Sequence, residues 1–297
     1  MILGPWNHGG WGRMKGDSLG KISFEKNTGD DFRDMQKEWF DFWLKGIGNG
    51  KFNEANCFQT GSDVWKSYNT WPPKEATIKK LYAGANNKCS FEKSSSTGYV
   101  SYISDPAHPV PYRTLPIEAT YGPGSRWKPW QVEDQRFVYT RPDVVSFTSD
   151  SLQNDLTVTG KIMAHLFAST SGTDADWVVK LIDVYPAFYS KSLSMSGYQF
   201  PVAMEVFRGR FRKSFSNPAP LTPGKPEEYL IDLHDINHVF LKGHRIMIQV
   251  QSSWFPLIDR NPQKYVPNIF EAKDTDYIKA EQRIYSITYI ELPVMKD

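Results

Sequence analysis

The residues best suited to chemistry stand at the very start of the chain, in MILGPWNHGGWG, residues 1–12. His8 follows a short apolar run, Met1-Ile2-Leu3, that reads as the end of a buried strand stopped by Gly4-Pro5. An imidazole in such a loop can take the proton of a serine hydroxyl on one ring nitrogen while a carboxylate holds the other. The neighbouring glycines allow a tight turn and leave room for a substrate. The same pattern suits a loop histidine that caps a backbone carbonyl, and the local residues leave both readings open.

Other constellations are weaker. Gly16-Asp17-Ser18-Leu19-Gly20 has the letters of the G-x-S-x-G nucleophile elbow, which works only on a sharp strand-to-helix turn. No strand precedes Gly16, and the following KISFEK is strand-like, so a surface turn is expected. His234 and His238 stand four apart in DLHDINHVF. On a helix that would be metal-ligand spacing, but the strand-like flanks make them straddle a turn instead. Asp174 and Asp176 could hold a calcium ion; without further acidic ligands nearby, a loop that bonds its own backbone is the better reading. In SSWFPLIDRNP, Trp254 and Phe255 either line an apolar pocket or pack on the core. Neither a P-loop nor a dinucleotide fingerprint is present, which disfavours nucleotide binding.

These groups need elements to position them. Residues 1–50 differ from the rest. DDFRDMQKEWFDFWLKG places Phe32, Met35, Trp39, Phe40, Trp43 and Leu44 on one stripe, so a helix over about 31–46 is expected, capped by Asp30 or Asp31 and closed at Lys45-Gly46. Its stripe must be covered by the rest of the chain or by another copy. Beyond Gly50, short β-favouring runs alternate with turn residues: 56–60, 65–68, 79–83, 98–103 and 136–139, then the stronger 156–168, 176–186, 202–211, 228–233, 245–252 and 283–292. Within 245–252, Ile246, Ile248 and Val250 alternate with Met247, Gln249 and Gln251, the pattern of a half-buried strand. The proline-rich stretch 104–132 reads as an ordered loop over a sandwich. Low complexity is confined to the serines at 94–96.

The bulk numbers agree. The chain has 297 residues, 40% hydrophobic and 23% charged, with 35 basic and 33 acidic residues for a net charge of +2. No basic face points to nucleic acid, and no apolar run is long enough for a membrane span. The two cysteines, Cys57 and Cys89, are too few for a disulfide framework or a thiolate zinc site and read as buried thiols.

Several long segments carry a resemblance: LGPWNHGGW, FRDMQKEWFDFWLKG, VEDQRFVYTRPDV, LFASTSGTDADWVVKLIDVYP, EVFRGRFRKSF, LTPGKPEEYLIDLH and FLKGHRIMIQVQSSWFPLIDRNPQ. In order, and over nearly the whole chain, they resemble the C-terminal part of the α-amino acid ester hydrolases. That family is allied to glutaryl aminocephalosporanate acylases, cocaine esterase and the X-prolyl dipeptidyl peptidases. The resemblance implies a mainly β fold: a C-terminal jelly-roll β-sandwich over residues 51–297, preceded by a remnant of an α/β-hydrolase domain, residues 1–50, that holds the histidine loop and the last helix. It implies that His8 is the catalytic histidine and that Trp254 and Phe255 border the substrate's acyl pocket. It implies serine-hydrolase chemistry on acyl esters or amides, without metal or organic cofactor. The nucleophile serine and the triad aspartate of the family's pattern lie upstream of His8, so the chain alone is expected to be inactive and to need upstream hydrolase and cap domains as partners. A homo-oligomer is compatible with this reading, as is a periplasmic or secreted setting. Two rival functions stand beside it: a sandwich that binds a glycan through surface aromatics, and a platform for oligomer contacts.

Overall fold

Runs of Val, Ile, Leu and aromatic residues cut by Gly and Pro fold into sixteen strands among the described residues. The computed structural model describes residues 1–93 and 97–296, so the serine tract at 94–96 lies outside the described residues. The first part of the chain holds β1 (Ile2–Leu3), α1 (Gly10–Arg13), β2 (Ser18–Leu19), β3 (Ile22–Ser23) and α2 (Thr28–Lys45). A hairpin follows, β4 (Ala55–Gln59) and β5 (Val64–Tyr68), then β6 (Thr77–Ala83), β7 (Cys89–Ser90) and β8 (Tyr99–Ser104). After the proline-rich stretch come α3 (Arg136–Tyr139), β9 (Val144–Thr148), β10 (Leu156–Thr170), β11 (Asp176–Val184) and β12 (Gln199–Arg208). The chain ends with β13 (Glu227–Phe240), β14 (Arg245–Gln251), β15 (Ala280–Tyr285) and β16 (Tyr289–Val294).

Two antiparallel sheets make a β-sandwich. The larger runs β7-β6-β16-β10-β15-β8 with β13 also paired to β10; the smaller runs β12-β11-β14-β9. Their inner faces interleave one core: Leu81, Ile162, Leu166 and Leu292 from the large sheet meet Trp177, Val179, Leu181, Ile248 and Val250 from the small one. β11 and β14 are buried on both faces, because Tyr112 and Trp130 of the 104–132 stretch cover the other side together with Trp254. The expected half-buried strand at 245–252 is therefore buried on both faces from Ile246 onward.

Four other expectations are corrected. Residues 136–139 form a single helical turn, with Val138 buried against Val110 and Val144; a four-residue apolar run is too short for period to decide its type. The run 283–292 is two strands, β15 and β16, separated by a turn in which Thr288 N–H donates to Tyr285 O. His234 and His238 lie in one continuous strand, β13, with no turn between them; the strand's irregularity is at His234 itself (φ 66°), within the register shift of β10 against β13 between Asp232 and Asp235. The long helix starts at Thr28, capped by Asn27, whose side chain accepts from Asp30 N–H. Its end at Gly46 is as expected.

The helix stripe is only partly covered. Phe32 packs edge-on against Trp6, with ring centroids 5.3 Å apart, and Phe42 and Trp39 meet Phe52. Trp39, Phe40, Trp43 and Leu44 remain exposed, the last two at 61% and 74%. The sandwich does not cover this end of the stripe. Among the described residues no helix is long and apolar enough to cross a membrane.

Candidate functional site

β1 pairs in parallel with β4, Ile2 with Asn56 and Leu3 with Cys57. Its end is broken by Gly4-Pro5, and Trp6 N–H closes a turn onto Gly4 O. Asn7 is buried, and its carbonyl accepts from Gly10 N–H, which starts α1. Between them Gly9 adopts φ 75°, a left-handed conformation that glycine takes without a steric penalty. This knot turns His8 outward. Its ring is exposed, makes no hydrogen bond among the described residues, and meets only Trp11 edge-on at 6.1 Å. An imidazole so presented can accept a proton from a group that reaches it from outside.

Trp254 and Phe255, just beyond β14, have different surroundings. Trp254 is buried against Trp130 and Val178. It also lines a largely apolar cleft of about 660 Å³, which Leu3, Gly4, Pro5 and Trp6 help to line. Phe255 is 38% exposed, pairs its backbone with Val110 and Tyr112, and lies under the Arg260 guanidinium. The structure thus brings Trp254, but not Phe255, to the segment that leads into His8.

Ser18 begins the β2–β3 hairpin, Leu19 pairing with Ile22, so the GDSLG letters form a turn. Asp174 is held by Arg210 (2.8 Å from Nε), and Asp176 by Arg208 and Asn261. These two carboxylates neutralise arginines. Burial pushes the Asp176 carboxyl up to about 6, and Arg208 opposes that rise. Both cysteines are free and buried.

The sequence reading missed a buried polar seam where the β4–β5 hairpin meets β13. Asn237 accepts at Oδ1 from Gln59 Nε2 (3.0 Å), Thr159 Oγ1 (2.9 Å) and Tyr68 Oη (3.3 Å). Next to it, His238 Nδ1 meets Thr60 Oγ1 at 2.8 Å, and Nε2 lies 3.4 Å from Asp183 Oδ2, an ion-pair distance rather than an aligned hydrogen bond. His244 Nδ1 lies 2.8 Å from the other oxygen of Asp183. Burial pushes the Asp183 carboxyl upward, but His238 and His244 outweigh it and hold it below its usual range. The hint in the sequence was slight: Asn237-His238 interrupts the apolar flank Ile236, Val239, Phe240.

The profile of the X-Pro dipeptidyl-peptidase C-terminal non-catalytic domain matches residues 44–286. The chain is 44% identical to an aminopeptidase from the marine sediment archaeon Thaumarchaeota archaeon, superposing with a TM-score of 0.96 over 99% of this chain and 49% of that one. It is also 44% identical to a selenomethionine-labelled α-amino acid ester hydrolase, at a TM-score of 0.94 and the same two coverages. Cocaine esterase from Rhodococcus sp. (strain MB1 Bresler) is 30% identical over 275 residues, 88% of this chain and 45% of the esterase. The chain spans about half the length of these relatives.

Proposed function

The chain belongs to the X-Pro dipeptidyl-peptidase C-terminal domain family, and from that premise we propose that it is the part of a serine hydrolase that carries the general base and the sandwich behind it. Its relatives are an ester hydrolase, an aminopeptidase and an esterase, hydrolases by name. In this reading residues 1–50 are the end of an α/β-hydrolase domain and residues 51–297 the jelly roll. A serine of the upstream partner attacks the carbonyl of an acyl ester or amide, and His8 takes its proton. His8 then donates that proton to the leaving group and activates water for deacylation. Trp254, which lines the cleft together with Leu3, Gly4, Pro5 and Trp6, borders the acyl pocket, and Phe255, outside that cleft, has no part in it. The substrate class is a small acyl ester or amide, of the α-amino acyl kind in the ester-hydrolase relative's name.

The observation that carries the reading is the exposed imidazole of His8, which makes no hydrogen bond among the described residues and is held on the turn between the parallel-paired β1 and the short helix α1. The exposed aromatic end of α2 supports it, since a neighbouring domain would bury Trp39, Phe40, Trp43 and Leu44. The test is to join this chain to the upstream half of the α-amino acid ester hydrolase, in place of its own matched half. The joined enzyme should hydrolyse a p-nitrophenyl α-amino acyl ester. His8→Ala should lower kcat by more than about 10³-fold. An alanine variant as active as its parent would remove His8 from the mechanism.

A further inference from the structure

Five aromatic rings form a continuous file from the hairpin into the histidine loop. Phe24 meets Phe58 at 5.6 Å between centroids, Phe58 meets Trp65 at 5.4 Å, Trp65 meets Trp6 at 5.9 Å, and Trp6 meets Phe32 at 5.3 Å. Trp65 stands at the centre and belongs to β5, within the segment matched by the family profile. Its indole N–H donates to Asp31 Oδ2 at 2.8 Å, in the first turn of α2. It therefore touches Trp6, two residues before His8, through the ring, and the first turn of α2 through the N–H.

Both ends of this contact are tied down by hydrogen bonds. On the sandwich side, the turn of the hairpin is pinned to β13: Thr60 N–H donates to Asn237 O and Thr60 O accepts from Val239 N–H. Asn237 binds side chains from both hairpin strands at once. On the loop side, Trp6 Nε1 donates to Thr28 Oγ1 at 2.8 Å, and Thr28 donates in turn to Gly16 O. The Trp6 ring lies flat over Gly4, where a Cβ would stand 2.3 Å from ring carbons. Hydrogen bonds and ring contacts thus run without a break from the sandwich to Trp6, two residues from the imidazole.

We infer that Trp65 is a positioning residue for His8, and that through it the sandwich sets where the imidazole stands. This rests on the reading of His8 as general base. A general base must lie within hydrogen-bond reach of the proton it takes, and a displacement of about 1 Å can cost on the order of 10²-fold in rate. A ring that fixes the loop two residues away acts on that displacement without touching substrate.

The test has two readouts. In the 297-residue chain itself, amide hydrogen exchange is followed for residues 4–14 and for β10, β11 and β13 in Trp65→Leu and Trp65→Phe. The leucine variant should speed exchange at Gly10 and Met14 about tenfold or more and leave the sandwich strands unchanged. Phenylalanine, which keeps a ring against Trp6 but loses the bond to Asp31, should restore most of the protection. In the joined enzyme, Trp65→Leu should lower kcat about 10²-fold with KM within about twofold, and Trp65→Phe should recover most of it. Unchanged exchange at 4–14, an equal rise in every segment, or a kcat unaffected by leucine would each overturn the inference. The two proposals fail separately. An active His8→Ala variant overturns the role of His8, whereas a dead His8→Ala beside a fully active Trp65→Leu overturns only the role of Trp65.

Discussion

Lys180 offers the sharpest quantitative test of how the fold is held. It is fully buried in the middle of β11, on the face away from the main core, with no carboxylate beside it. Its Nζ donates to Gln135 Oε1 (2.9 Å), Gln249 Oε1 (3.1 Å) and Gln251 Oε1 (2.9 Å). Each amide is oriented by its own Nε2: Gln135 donates to Glu133 O, Gln249 to Ser146 Oγ and Gln251 to Ser253 O. Three ammonium hydrogens thus meet three oxygens, and through Gln135 the knot fastens the segment before α3 onto the sheet. Burial nevertheless pulls the amine down from 10.5 to about 7. Above pH 7 the folded lysine sheds its proton while the unfolded chain keeps it up to about pH 10.5, so the unfolded state binds the extra proton across that window. Stability conferred at this site therefore rises with pH from 7 to 10.5 and is flat below 7. At 1.36 kcal/mol per pH unit, the span from pH 7 to pH 10 amounts to about 4 kcal/mol. Lys180→Met removes the titration and leaves three unpaired amide oxygens, a cost independent of pH. The assay is urea unfolding of both proteins at half-unit steps from pH 7 to 10. The wild type should gain about 3–4 kcal/mol on the methionine variant across the series, and the comparison subtracts every other titrating group. A stability difference that stays constant with pH would refute the reasoning: it would mean that the three glutamine oxygens hold the proton against burial.

Two further outcomes are expected. Arg210 and Asp174 are both buried and hydrogen-bonded, and the arginine also donates to Val266 O and stacks on Tyr265; Arg210→Ala should cost about 3–5 kcal/mol in urea unfolding by stranding the carboxylate, and a loss below about 1 kcal/mol would show that Asp174 finds other solvation. Burial pushes the thiols of Cys57 and Cys89 up to about 12, so at pH 8 only about 10⁻⁴ of each is thiolate; a disulfide reagent should label neither in the native chain and both in guanidinium, and native labelling at the rate of free cysteine would contradict the packing.

The parts of the fold that sequence reveals are those fixed by local period and punctuation. Helix α2 is legible because Phe32, Met35, Trp39 and Trp43 recur at helical spacing and Gly46 ends it. The long strands β10 and β11 are legible because their apolar runs are bounded by turn residues. The histidine loop is legible for the same reason, since Gly4-Pro5 and Gly9-Gly10 leave His8 nothing regular to join. At residues 136–139 this fails, because one turn of helix and a short strand present the same four letters and the choice falls to Val110 and Val144, which are distant in sequence or follow a loop.

What stays illegible is burial by a distant segment. Alternation assigns Gln249 and Gln251 to solvent, and it would do so in most antiparallel sheets. Here both are fully buried, because a stretch more than a hundred residues earlier folds over them and because Lys180 supplies donors that match their oxygens. Asn237 is the same case at the other junction, a polar strand residue whose three donors come from β4, β5 and β10. In each, a polar side chain can be withdrawn from water only if the covering element brings its partners with it. The covering element and the polar strand residue therefore have to be read as a pair. That pairing explains why both junctions, the hairpin on β13 and the proline-rich stretch on β11 and β14, carry glutamine, asparagine or lysine beside apolar residues such as Tyr112, Trp130 and Trp254: an apolar contact holds a covering segment in place, and oriented amides also fix its register.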